Sequence, residues 1–184
     1  MHSYTNWTNQ SGHVPCSWQS QDYTDIDWQL LPTNPTSTGG FSTRPESYEI
    51  YGERISCYVP RFQTESGTDV PVQVHSVFGT VLDCFDLGKK IYSLGRYTPG
   101  QILPWHVDNY PTYQQRNRVT DIDQIVRVIV FLNDSQPGQQ LWVNDRMCYG
   151  PAGSWFSWQG QTRHMAANLS ESDRYIMQIT GTQN

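Results

Sequence analysis

The chain has 184 residues and a formal net charge of −5 from 12 basic and 17 acidic side chains. That length suits one domain, residues 1–184, large enough to bury a core without disulfide staples, and the acidic balance argues against a nucleic-acid-binding surface. No apolar run approaches the roughly 20 residues of a membrane-spanning helix, and the polar segment Met1–Gln10 has no apolar signal core, so the expectation is a soluble cytoplasmic protein.

Aromatic residues make up 13% of the chain and charged ones only 16%, a composition that favours strands over helices. Residues 1–45 are polar and turn-rich, punctuated by Trp7, Trp18, Ile26, Trp28, Leu30 and Leu31. They read as an irregular N-terminal arm that lays apolar anchors on the main body, with 33–45 rich enough in Pro, Gly, Ser and Thr to suit disorder. Residues 47–60 are ambiguous, and Pro71–Phe85 reads as a helix or a strand. From residue 88 to 181 the pattern is β. Lys90–Tyr97, Ile102–Val107, Ile125–Leu132, Gln140–Val143, Met147–Tyr149, Ser154–Trp158, Arg163–Asn168 and Tyr175–Thr180 read as about eight short strands, at the spacing of an antiparallel barrel or sandwich. Ile125–Leu132 is nearly all apolar, the mark of a strand buried on both faces. Residues 109–124 read as a long polar loop leaving the Ile102–Val107 strand, a natural place for substrate recognition.

Two histidines and a carboxylate stand out in this β half. His106 and Asp108 are two apart, and on a strand such residues share a face. His164 comes 58 residues later (164 − 106) on a distant strand, and Arg174 follows it by 10 (174 − 164). Two imidazoles and one carboxylate make a facial three-ligand site suited to Fe(II), with positions left open. Cys16, Cys57, Cys84 and Cys148 show no CxxC spacing, which argues against a closed zinc site; their pairing is open.

These segments together resemble the Fe(II)- and 2-oxoglutarate-dependent oxygenases. Tyr97-Thr98-Pro99-Gly100 followed by His106-Val107-Asp108 is similar to the prolyl-hydroxylase pattern. Arg127-Val128-Ile129-Val130-Phe131-Leu132-Asn133 is similar to the buried strand ending in Leu-Asn. Gly138-Gln139-Gln140-Leu141 is similar to a Gly-Gly-x-Leu strand, and Gly150-Pro151-Ala152-Gly153 to the turn before the distal histidine. The resemblance implies a mainly β, double-stranded β-helix fold (jelly-roll, cupin-like) over about residues 88–181. It also implies Fe(II) on His106, Asp108 and His164, with 2-oxoglutarate as cosubstrate and O₂ as oxidant. Arg174 would anchor the far carboxylate of the cosubstrate, with Tyr97 and Arg127 as further candidate contacts. The primary substrate implied is a peptidyl residue or a small molecule.

The chain departs from the prolyl-hydroxylase pattern at Phe131, where a tyrosine is usual, and at Gln139, where a second glycine is. Arg127 is closer to the aspartyl/asparaginyl β-hydroxylases, which lack a metal carboxylate that this chain has. Two alternatives stay open: a non-catalytic cupin-like binding or structural barrel, and a zinc hydrolase on the same three ligands. The tyrosines of 109–124 read as ordinary loop surface, and the tryptophans as core. The lysine-poor, polar composition would suit a viral or marine microbial source.

Overall fold

The computed structural model describes residues 6–26, 28–32, 56–60 and 75–184; the low-complexity stretch 33–45 and most of the ambiguous 47–60 lie outside them. The β half consists of β4 (Leu87–Tyr97), β5 (Ile102–His106), β6 (Ile125–Phe131), β7 (Gln139–Val143), β8 (Arg146–Met147), β9 (Ser154–Gln159), β10 (His164–Asn168) and β11 (Arg174–Gln183). Their antiparallel pairings are nested: β4 with β11, β5 with β10, β6 with β9, and β7 with β8. The chain from 87 to 183 is therefore one long hairpin folded on itself, with partners alternating between two sheets. This is the double-stranded β-helix expected from the sequence.

The larger sheet has the order β1-β9-β6-β11-β4-β3-β2 and the smaller β5-β10-β7-β8. The extra strands come from the N-terminal half: β1 (Ser11–His13) extends the large sheet at β9, while β2 (Trp28–Pro32) and β3 (Ser56–Pro60) extend it at β4. The described part of the arm is thus more regular than its composition suggests. It also contains a single helical turn, α1 (Gln21–Thr24). The ambiguity at 71–85 resolves as a helix, α2 (His75–Asp83).

Every residue of β6 is buried, for the reason its unbroken apolar run implies: both faces are covered. Ile129 and Phe131 point between the sheets and pack with Tyr97, Leu141, Trp158 and Ile176. Val126, Val128, Val130 and Leu132 point the other way, onto Trp7, Trp18, Phe78 and Phe85 of the arm and α2. Polar bonds secure this outer layer. The Trp18 indole N–H donates to the Leu132 carbonyl at 2.8 Å, and the Ser157 hydroxyl donates to the Trp7 carbonyl at 2.6 Å.

The segment 109–124 corrects the sequence reading. It holds a helix, α3 (Pro111–Asn117), and a 3-10 turn (Ile122–Gln124). Tyr110, Tyr113 and Val119 are buried around Ile125, with Ile91 and Ile122 against them. Its polar residues sit on the outer side of a short helix, a period too brief for a polar stretch to reveal. Two glycines of the sequence motifs have conformational reasons. Gly138 has φ +90 and lies so close to the Leu169 carbonyl carbon that a Cβ would stand 2.8 Å from it, and Gly153 has φ +83; both conformations favour glycine.

Trp7 tests the arm as part of the core, since it is 1% exposed and packs on Phe85 and Trp155. Trp7→Ala should destabilise the protein by about 3–5 kcal/mol in urea unfolding. A loss under about 0.5 kcal/mol, the usual size of a surface change, would show that the arm is dispensable to the barrel.

Candidate metal centre

His106 ends β5 and His164 begins β10, and the register of that strand pair sets the two Cα atoms opposite each other. The imidazole centroids are 4.2 Å apart. Asp108 follows His106 by two, and its carboxylate lies 3.7 Å from His106 Nε2 and 3.8 Å from His164 Nε2. One ligand atom from each of the three residues falls within 4.8 Å of the others, the only such cluster among the described residues.

The tautomers follow from the hydrogen bonds. His106 Nδ1 is 2.7 Å from the Pro104 carbonyl, and His164 Nδ1 is 2.9 Å from the Thr162 carbonyl. A carbonyl only accepts, so each Nδ1 carries the proton and each Nε2 keeps a lone pair facing Asp108. Burial pushes the His106 pKa down, and burial pushes His164 down to about 4. Burial alone would raise the Asp108 carboxyl, but the Arg127 guanidinium and the two imidazoles hold it at about 2. At neutral pH the site therefore presents two neutral imidazoles and one carboxylate, the protonation state that metal ligands need.

Buried polar groups lie beside the triad. The Trp158 indole N–H is buried and has no hydrogen-bond partner among the described residues, and the buried Tyr110 hydroxyl interacts only with Arg127 and Asp108. The Trp158 ring lies 4.6 Å from that of His164, and Tyr110 packs on Arg127, which is bonded to Asp108. An orphaned indole donor beside a ligand-ready triad fits a site that holds an ion and oxygen ligands. The donor set of nitrogen and oxygen without sulfur fits a divalent first-row metal.

Arg174 opens β11 with its Cα opposite Tyr97 of β4. Its side chain is buried, donates from Nη1 to the Gln140 carbonyl at 2.7 Å and lies 4.5 Å over the Phe131 ring. No carboxylate of the described residues pairs with it. Burial lowers its pKa to about 10, partly offset by Tyr97 and Cys148 beside it. Phe131, the departure from the tyrosine pattern, thus gives the guanidinium an aromatic face in place of a hydroxyl. Gln139, the other departure, donates to Ser170 and Ser172 in the turn that leads into Arg174.

The sequence-predicted residues therefore divide into two groups. His106, Asp108 and His164 converge, with Arg127 beside them: its Nε and Nη2 donate to Asp108 Oδ2 at 3.2 and 2.8 Å. Arg174 and Tyr97 form a second locus. Arg127 sits with the metal triad, paired to Asp108, and not with Arg174. Sequence reasoning took Tyr110 as recognition-loop surface and Trp158 as core or cavity lining, and did not single out Thr180, since a tyrosine in a polar stretch and a tryptophan on a strand carry no spacing signal. Cys16, Cys84 and Cys148 are free thiols, and no described helix is long and apolar enough to cross a membrane.

No protein-family model matches the chain, and no curated protein matches it. Solved structures similar to it include a prolyl-4-hydroxylase from Pseudomonas putida, at 17% identity and TM-score 0.39, covering 60% of this chain and 55% of that one. A cupin protein from Bacteroides fragilis is 14% identical with TM-score 0.38, covering 54% and 71%. A double-stranded β-helix protein from Klebsiella pneumoniae is 12% identical with TM-score 0.37, covering 54% and 73%. Such distant likenesses say nothing about activity; the fold stands on the nested strand pairing itself.

The low His164 pKa has a consequence for the metal-free protein. An unfolded histidine titrates near 6.5 and the folded one near 4, so between these values the unfolded state binds more protons. Stability should be full above about pH 6.5 and fall as pH drops toward 4. His164→Gln should flatten this dependence in urea titrations. An unchanged slope would place the titration elsewhere.

Proposed function

We propose that this protein is an Fe(II)- and 2-oxoglutarate-dependent dioxygenase that hydroxylates a peptidyl residue or a small molecule. One observation carries the reading: a buried guanidinium with no carboxylate partner shares a barrel with a ligand-ready His/Asp/His triad. A buried cation is costly unless an anion meets it, and Arg174 lacks one among the described residues. It bonds to Gln140, whose β10 partner Ala167 is three residues from His164. Three strand residues span about 10 Å. A five-carbon 2-oxo dicarboxylate covers a gap of that order, with a metal–oxygen bond of about 2 Å at one end and a charge-assisted hydrogen bond of about 2.8 Å at the other.

When bound, iron supplies the redox chemistry that couples O₂ and 2-oxoglutarate decarboxylation to hydroxylation of a C–H bond. The protein's own residues do the rest. His106, Asp108 and His164 would hold the ion, each through one ligand atom. Arg174 would bind the far carboxylate of the cosubstrate and so orient it, with Tyr97 opposite at the same strand position. Phe131, Ile129 and Trp158 line an apolar interior that excludes water and strengthens each charged contact.

The test is succinate formation from 2-oxoglutarate by the purified protein with Fe(II) in air, with or without primary substrate. Wild type should form succinate only with iron. Arg174→Ala should lose about 2–5 kcal/mol of cosubstrate binding, more than tenfold in affinity, while metal binding is unchanged. Absence of both iron binding and turnover in the wild type would favour the non-catalytic barrel.

A further inference from the structure

The Asp108 carboxylate is engaged in an asymmetric way. An arginine fork commonly spreads two N–H groups over two carboxylate oxygens. Here Nε and Nη2 of Arg127 both donate to Oδ2, and neither donates to Oδ1. The guanidinium cannot slide to the other oxygen. Its third nitrogen, Nη1, donates to the Thr180 hydroxyl on β11, and its face packs on the Tyr110 ring at 5.0 Å. The backbone under it is equally fixed, because Arg127 stands between its Cα partners Thr180 and Trp158 in the middle of the large sheet. Tyr110 itself is held at φ 49 ahead of α3, in a left-handed conformation that a tyrosine adopts only when its surroundings require it.

We infer that Arg127 is a positioning residue that restricts Asp108 to one-oxygen ligation through Oδ1. This rests on the metal reading above. Two N–H groups directed at one oxygen occupy the lone pairs that a chelating carboxylate would turn to the ion. Each oxygen faces one imidazole, Oδ1 at 3.7 Å from His106 Nε2 and Oδ2 at 3.8 Å from His164 Nε2, and of the two only Oδ1 is left by Arg127 with its lone pairs for the metal. The consequence is a count of open positions. A near-octahedral ion on two imidazoles and a one-oxygen carboxylate keeps three positions for exogenous ligands. A two-oxygen carboxylate would leave two, too few for a chelating 2-oxo acid and a third ligand together. Arg127 therefore protects the position that the reaction needs, and Tyr110 and Thr180 hold Arg127 in that role.

The measurement is the number of water molecules on bound Mn(II), read by water-proton relaxation or by line broadening of the Mn(II) EPR signal in ¹⁷O-enriched water, without cosubstrate. Wild type should hold three. Arg127→Met and Arg127→Lys should each hold two, as Oδ2 turns to the ion. Lys keeps the buried charge that Asp108 needs, and so carries the test if the Met variant does not fold. A lysine ammonium carries its donors on one nitrogen and places one N–H on Oδ2 where the fork of Arg127 places two. A purely structural role for Arg127 would lower the unfolding midpoint and leave the water count at three, which overturns the inference. Two waters in the wild type would overturn it as well. Failure of the wild type to bind Mn(II) at all would instead remove the metal reading on which it stands.

Discussion

Two backbone carbonyls, each two residues before a histidine, set the chemistry of the barrel interior. Pro104 accepts from His106 and Thr162 accepts from His164. Each bond fixes a tautomer and aims an unprotonated Nε2 at the same carboxylate. The β5–β10 register then brings the imidazoles to 4.2 Å. Without these bonds the same residues would be buried histidines with a choice of tautomers, and the triad would not be prepared before an ion arrives. Trp158 packs against His164 and limits its rotation. Preparing ligands by a bond on their far nitrogen is the usual way a protein tunes a metal site.

The charges complete the picture. Asp108 and Arg127 cancel, so the triad end is close to neutral until a cation binds. Arg174 is a cation without a described counter-ion at the other end. On the proposed reading, a divalent metal at one end and the guanidinium at the other would give a slot with positive charge at both ends, which suits a dianion with its charges separated. Burial of both arginines is tolerable only because each is supported: Arg127 by Asp108, Thr180 and the Tyr110 face, and Arg174 by the Gln140 carbonyl and the Phe131 face.

The β half of the fold was legible because its signals are local. Ile125–Leu132 announces a strand covered on both faces, and turns with Pro and Gly separate the rest. The sequence also placed His106 and His164 on strands, with Asp108 just past the first and Arg174 just before the last, and the nesting of those strands brings His106, Asp108 and His164 together. What stayed hidden depends on contacts between distant segments. The polar spacing of 109–124 conceals a seven-residue helix that buries Tyr110 and Tyr113. Arg127 read as a possible cosubstrate contact, because nothing in a linear pattern shows that Asp108, 19 residues earlier (127 − 108), lies beside it in space. The described part of the arm read as irregular because β1 and β2 acquire their strand form from β9 and β3, not from their own composition.

A structure of the protein with Mn(II) and 2-oxoglutarate under anaerobic conditions tests the central claim most directly. The ion should sit on Nε2 of His106, Nε2 of His164 and Oδ1 of Asp108, with the far carboxylate of 2-oxoglutarate on Arg174. An ion bound elsewhere, or a cosubstrate whose far carboxylate avoids Arg174, would contradict it.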